Sequence, residues 1–154
     1  MATTSFGHGF AVTPLQFVDA AAGLIGTGER VPPTLLRRAA GDEPPRTRFV
    51  SERTADTLRW LMWLAVERGT GDQARLATYL VGGKTGTAEK PSRGGYSRDR
   101  VLASFLGAFP IHEPRYLVFL ALDEPQGDAG THGFRYGGWT AAPAVAAIID
   151  RIGP

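Results

Sequence analysis

The ten residues Val81-Gly82-Gly83-Lys84-Thr85-Gly86-Thr87-Ala88-Glu89-Lys90 carry the densest chemistry in the chain. An apolar lead-in enters two glycines, a lysine follows between glycine and threonine, and hydroxyls recur at 85 and 87. On a strand, this order offers a positive charge, hydroxyl donors for a carboxylate, and a glycine that lets a ligand approach the backbone. Acyl transfer also needs an activated nucleophile, such as a serine with a lysine base one helical turn later. The only lysines are Lys84 and Lys90, and three residues before them stand Val81 and Thr87. None of the five serines (Ser5, Ser51, Ser92, Ser97 and Ser104) therefore begins a Ser-x-x-Lys. Asparagine is absent, so there is no Ser-Asp-Asn, and the absence of cysteine rules out disulfide and thiolate chemistry.

Gly83-Lys84-Thr85 also matches the end of a phosphate loop. That motif requires a glycine at position 78, which is Thr78, and Tyr79-Leu80-Val81 reads as strand. Nucleotide binding is not expected. His8, His112 and His132 are too scattered for a metal signature. Neither a metal nor an organic cofactor is implied.

Composition sets the frame for these residues. The chain has 154 residues, 43% hydrophobic and 21% charged, which suits one soluble domain or a large piece of one. Its net charge is only +2, from 15 arginines and 2 lysines spread along the sequence against 15 acidic residues. With no block of basic residues, nucleic acid is excluded as a partner. The first residues lack a signal peptide pattern, and no apolar run reaches the roughly 18 residues of a membrane span. No membrane contact is expected from this segment itself.

The elements that must position the motif follow from periodicity. Residues 13–27 predict a helix, with Thr13-Pro14-Leu15-Gln16 as a capping box carrying proline at the first helical position. Residues 29–50, broken by Pro32-Pro33 and Pro44-Pro45, predict an irregular connector. A second helix runs from a Ser51 cap to about Arg68. It is apolar on one face through Leu58, Leu61, Met62, Ala65 and Val66, and on the other through Trp60, Trp63 and Leu64, so burial on more than one face is expected.

Strands are predicted at about 80–88, 101–109 and 116–123. The last is nearly all apolar, as a central strand buried on both faces would be. Residues 89–100 read as a projecting loop, and Glu89 and Lys90 as a solvated strand end. A glycine-rich loop, 127–138, leads to a final helix at 140–152 capped by Thr140. The expected architecture is α+β, an antiparallel sheet covered by helices. Three strands are few for so much apolar helix surface, which points to further strands outside the chain.

In this order the motifs resemble the transpeptidase domain of class B penicillin-binding proteins, most closely the division-type peptidoglycan transpeptidases. Ser5-Phe6-Gly7-His8-Gly9 followed by Val12-Thr13-Pro14-Leu15-Gln16 is similar to the family's Gly-x-Gly…Thr-Pro-Leu-Gln helix entry. Pro32-Pro33, Val50-Ser51 and Gly69-Thr70-Gly71 come next, and then the full Gly-Lys-[Thr/Ser]-Gly-Thr-Ala match at Gly83–Ala88. Gly95-Tyr96, Ser104-Phe105, Phe109-Pro110, Pro114-Arg115-Tyr116, Tyr136-Gly137-Gly138 and Ala142-Pro143 complete the series.

The resemblance implies a penicillin-binding-protein transpeptidase or serine β-lactamase-like fold, of which residues 1–154 would be the C-terminal part. The nucleophile-bearing half would lie upstream. It implies catalytic roles for Lys84 and Thr87, the lysine by its charge and the threonine by an oxyanion-hole N–H. It implies substrate contacts from Thr85, Gly86, Thr87 and Tyr136. The expected partners are a peptidoglycan stem peptide, β-lactams and division proteins. The expected location is the periplasmic face of the bacterial inner membrane, with the anchor helix outside this sequence. The chain alone is expected to be inactive. The competing reading is a nucleophile-free remnant that binds a peptide or a partner protein.

Overall fold

The computed structural model describes residues 11–92 and 95–154. The proposed Ser5–Gly9 match lies outside the described residues. Helix α1, Pro14–Ile25, begins as its capping box dictates: Gln16 N donates to Thr13 Oγ1 at 3.2 Å, and Thr13 N donates back to Gln16 Oε1 at 3.0 Å. The connector is not wholly irregular. Its two ends form an antiparallel ladder, β1 Glu29–Arg30 against β2 Thr47–Arg48, with both proline pairs in the loop between them. Ion pairs flank the ladder, Arg48 with Glu29 at 2.6 Å and Arg30 with Asp19 of α1 at 2.7 Å, and Phe49 N and Val50 N both donate to Gly28 O beside it.

Helix α2, Glu52–Glu67, is capped by Ser51, whose Oγ accepts from Thr54 N at 3.1 Å. Its second apolar side is covered in part: Trp60 is exposed, whereas Trp63 and Leu64 are half-buried, and Leu61 on the first side is exposed. After a 3₁₀ turn at Asp72–Ala74 come strands β3 Gly82–Ser92, β4 Gly95–Phe109 and β5 Tyr116–Asp123, in the antiparallel order β3-β4-β5. Residues expected to form a loop instead continue β3 and β4 as a paired hairpin, with Pro91 opposite Tyr96 and Ser92 opposite Gly95.

The central strand is β4, not β5. Ala103, Phe105, Leu106, Ala108 and Phe109 are buried, whereas no residue of β5 is fully buried. The apolar run of β5 faces helices on both sides, yet the strand is at the edge among the described residues, which leaves its side chains partly exposed.

Helix α3, Gly137–Ile152, closes the fold. It starts three residues before the predicted Thr140 cap. Tyr136 is the N-cap residue, and the Thr140 hydroxyl donates to Tyr136 O at 3.1 Å from within the first turn. Gly137-Gly138 looks like loop in sequence, but it is helical because the turn presses against strand backbone. A Cβ on Gly137 would lie 2.6 Å from Gly86 O and would overlap Ser104 O, and one on Gly138 would overlap Thr70 O.

Two cores flank the sheet. Under α3, Phe105 and Phe109 pack with Val66, Val81, Val145 and Ile149. On the opposite face, Ile25, Ala108 and Ile111 pack with Leu58, Met62 and Trp63.

Candidate active site

Strand alternation divides the lysine-threonine motif between the two faces of the sheet. Thr85 pairs with Phe105 and Thr87 with Ala103, on the face covered by α3. Lys84 pairs with Leu106 on the other face. There it borders an almost wholly apolar cleft of about 370 Å³, lined by α1, α2 and β3 residues that include Phe17, Leu58, Met62 and Gly83. Thr85, Thr87 and Tyr136 line a second cleft of about 530 Å³, together with Gly69, Thr70, Asp72, Gly138 and Trp139. The two sides meet at the open edge of β3, where the Lys84 ammonium donates to the Thr85 carbonyl at 2.7 Å.

Backbone groups alternate sides along a strand, so the Thr85 and Thr87 backbone groups face the same way. The hydroxyls are also oriented. Thr87 Oγ1 accepts from Gly137 N, the first amide of α3, at 3.1 Å. This satisfies one orphan donor of the helix through a lone pair of the Thr87 hydroxyl, a side chain that lines the cleft. Thr85 Oγ1 and Thr70 Oγ1 lie 2.9 Å apart, so one donates to the other. The outcome is a row of hydroxyls beside the positive end of a 16-residue helix, an arrangement that can accommodate a carboxylate.

At Gly86 the structure shows a packing constraint between strands. A Cβ there would lie 2.5 Å from Ser104 Oγ on β4, so a side chain would disturb the strand that carries both threonines. Tyr136 is 55% exposed and stacks on Phe134, with ring centroids 5.9 Å apart and planes inclined by 27°. Phe134 in turn meets Trp139 at 5.6 Å, and His132 meets Trp139 edge-on at 5.3 Å. The wall of the cleft is therefore an aromatic group.

The sequence shows Thr70 only as part of the Gly69-Thr70-Gly71 match and assigns nothing to Asp72 or Trp139. Gly69-Thr70-Gly71 was visible as a match, but nothing local revealed that Thr70 would face a residue 15 positions later. Among the described residues, no cluster of side chains could hold a metal, and no helix is long and apolar enough to cross a membrane.

A family model described as "Penicillin binding protein transpeptidase domain" matches residues 1–150. The chain belongs to the penicillin-binding protein transpeptidase family. It is 40% identical to a "Probable peptidoglycan D,D-transpeptidase FtsI" of Caulobacter vibrioides, over 100% of this chain and 28% of that protein. It is 34% identical to "Stage V sporulation protein D" of Bacillus subtilis, over 96% of this chain and 24% of that protein. The chain thus spans about a quarter of the length of these two relatives.

Among solved structures, it superposes on the transpeptidase domain of Burkholderia pseudomallei penicillin-binding protein 3 with a TM-score of 0.85 and 34% identity. That match covers 97% of this chain and 44% of the other. Mycobacterium tuberculosis penicillin-binding protein 3, complexed with ampicillin, gives a TM-score of 0.77 at 28% identity, covering 96% of this chain and 38% of that one. The α+β fold expected for a penicillin-binding transpeptidase domain is the fold observed.

Proposed function

We propose that this chain is the carboxylate-binding and oxyanion-binding part of a peptidoglycan D,D-transpeptidase, and that residues 1–154 form the C-terminal part of one transpeptidase domain. The observation that carries this reading is the alignment of Thr85 and Thr87 along an open strand edge, with the Thr87 hydroxyl anchored by Gly137 N.

In the proposed reaction, a serine oxygen attacks the carbonyl of the penultimate D-alanine of a stem peptide. The carbonyl oxygen takes up negative charge and is held by the Thr87 N–H. An oxyanion contact of this kind is worth about 3–4 kcal/mol of barrier. Thr85 and Thr87 hold the terminal carboxylate, and Lys84 adds positive charge at the strand edge. The terminal D-alanine leaves as the amine, and an amine of a neighbouring strand then displaces the serine to complete the cross-link. The attacking serine and its lysine are not among these 154 residues, so this chemistry depends on a segment outside them. Action at the periplasmic face of the inner membrane, and contact with division proteins, belong to the same proposal.

A second reading is a nucleophile-free module that binds the same peptide terminus. An in-frame Ser-x-x-Lys in the adjoining upstream DNA supports the first reading, and a stop codon supports the second.

Binding itself is tested by titrating the chain with acetyl-D-alanyl-D-alanine while following backbone amide shifts. Shifts at Thr85, Thr87 and Gly137 are expected, abolished in Thr85→Val/Thr87→Val and absent with the L,L dipeptide. Equal response to both dipeptides, or shifts remote from β3, would sink the assignment.

A further inference from the structure

Lys90, which the sequence suggests is a solvated strand end, is engaged at the point where the β3–β4 hairpin leaves the sheet. Glu89 pairs with Val101, but the next residue, Lys90, pairs with Ser97. Residues 98–100 therefore have no partner across the ladder and form a bulge, where strand pairing cannot set the direction of the hairpin. Four charged side chains meet at this break. Glu124 Oε1 accepts from Lys90 Nζ at 3.0 Å and from Arg100 Nε at 2.9 Å, and Lys90 also pairs with Asp123.

Glu124 itself is unusual. Its φ is +50°, a left-handed conformation that non-glycine residues seldom adopt. Its neighbours hold it there: Glu124 N donates to Val101 O at 2.9 Å, and its carbonyl accepts from Gln126 Nε2 at 3.0 Å. One residue thus ties together the last paired residue of β4 before the bulge, the base of the hairpin, and the start of the loop that ends at Tyr136. The electrostatics agree. Hydrogen bonds to Asp123 and Glu124 raise Lys90 above its usual 10.5, and hydrogen bonds from Lys90 and Arg100 lower Glu124 below its usual 4.5.

We propose that Glu124 is a positioning residue: its carboxylate pins the end of the β3–β4 hairpin to the end of β5, and so fixes the course of β3 just beyond Thr87. An isolated exposed ion pair would do little. Here a single carboxylate is shared by cations from two strands at the one place where the ladder is interrupted. The consequence for ligand binding rests on the carboxylate-binding reading of the cleft; the pin itself does not.

The test is hydrogen exchange at the backbone amides of Lys90, Ser92, Tyr96 and Ser97, resolved by mass spectrometry, in the parent chain, Glu124→Gln, Lys90→Met and the double variant. Amides of Leu102–Ala108 report global stability. In Glu124→Gln the hairpin amides should exchange roughly threefold to tenfold faster while Leu102–Ala108 is unchanged. The double variant should be less than additive, since both changes remove the shared Lys90–Glu124 contact while Lys90→Met alone also removes the pair with Asp123. Adding 1 M NaCl to the parent should move it in the same direction.

Unchanged hairpin exchange, an equal rise at Leu102–Ala108, or additive effects in the double variant would each overturn the pin. Titration with acetyl-D-alanyl-D-alanine separates the two proposals. If the parent binds and Glu124→Gln binds severalfold more weakly, the positioning role holds. If the hairpin loosens with affinity unchanged, that role is overturned. If the parent does not bind, the cleft reading fails while the exchange data still decide the pin.

Discussion

Gly137→Ala is the sharpest probe of how the site is built. The new Cβ would stand 2.6 Å from Gly86 O and overlap Ser104 O, both of them backbone atoms in a paired ladder that cannot rotate away. Ordinary contact needs about 3.4 Å or more, so the first turn of α3 must lift by about 1 Å. Such overpacking costs about 1–3 kcal/mol. The lift also stretches the 3.1 Å bond from Gly137 N to Thr87 Oγ1, for about 1 kcal/mol more. Alanine's better helix propensity returns about 0.5–1 kcal/mol. The net loss is about 2 kcal/mol, or about 4–8 °C in Tm for a chain of this size. The assay is denaturant unfolding at matched protein concentration, with Gly130→Ala as control. There the nearest atom to the new Cβ is the Asp128 side chain at 3.3 Å, and a change within about 0.5 kcal/mol is expected. A Gly137→Ala midpoint equal to that of the parent would show that α3 is not seated on the β3–β4 backbone. The account of Thr87's orientation would then fall with it.

Other outcomes follow from the same geometry. Incubation with a fluorescent penicillin should give no covalent adduct with the 154-residue chain, because no serine has a lysine base at the required spacing; a stoichiometric mass increase lost in Ser104→Ala would contradict this. The chain at micromolar concentration should self-associate, since the apolar strand β5 is at the sheet edge and Leu15, Phe17, Trp60 and Leu61 are exposed; a monodisperse monomer by light scattering would refute it. The hairpin should respond to pH with a defined sign. Glu124 is lowered below 4.5, so its contribution is complete above that value and fades as pH falls through the lowered one. Lys90 is raised above 10.5, so its contribution is complete below that value and fades as pH rises through the raised one. Hairpin protection, corrected for intrinsic exchange, should therefore be flat from about pH 5 to 10 and decline in acid; unchanged protection down to pH 2 would contradict the role of Glu124.

The sequence by itself determined what is written locally. Thr13-Pro14-Leu15-Gln16 and Ser51 fixed two helix starts, because a cap is a contact between residues three apart. Lys84, Thr85, Gly86 and Thr87 were legible as a candidate site because charge, hydroxyls and glycine follow one another along one strand. Tertiary structure decided what depends on contacts between distant residues. Gly137-Gly138 reads as loop until the β3–β4 backbone beneath it leaves no room for a Cβ, and that packing moves the helix start from Thr140 to Gly137. The uniformly apolar β5 tells that both its faces are covered, and only the tertiary structure shows that, among the described residues, it pairs with β4 alone. Thr70 meets Thr85, and Lys90 meets Glu124, only because a turn and a strand bulge bring them together. Hydrophobic period and spacing carry no record of such meetings, since each is set by the path of the chain between the two residues.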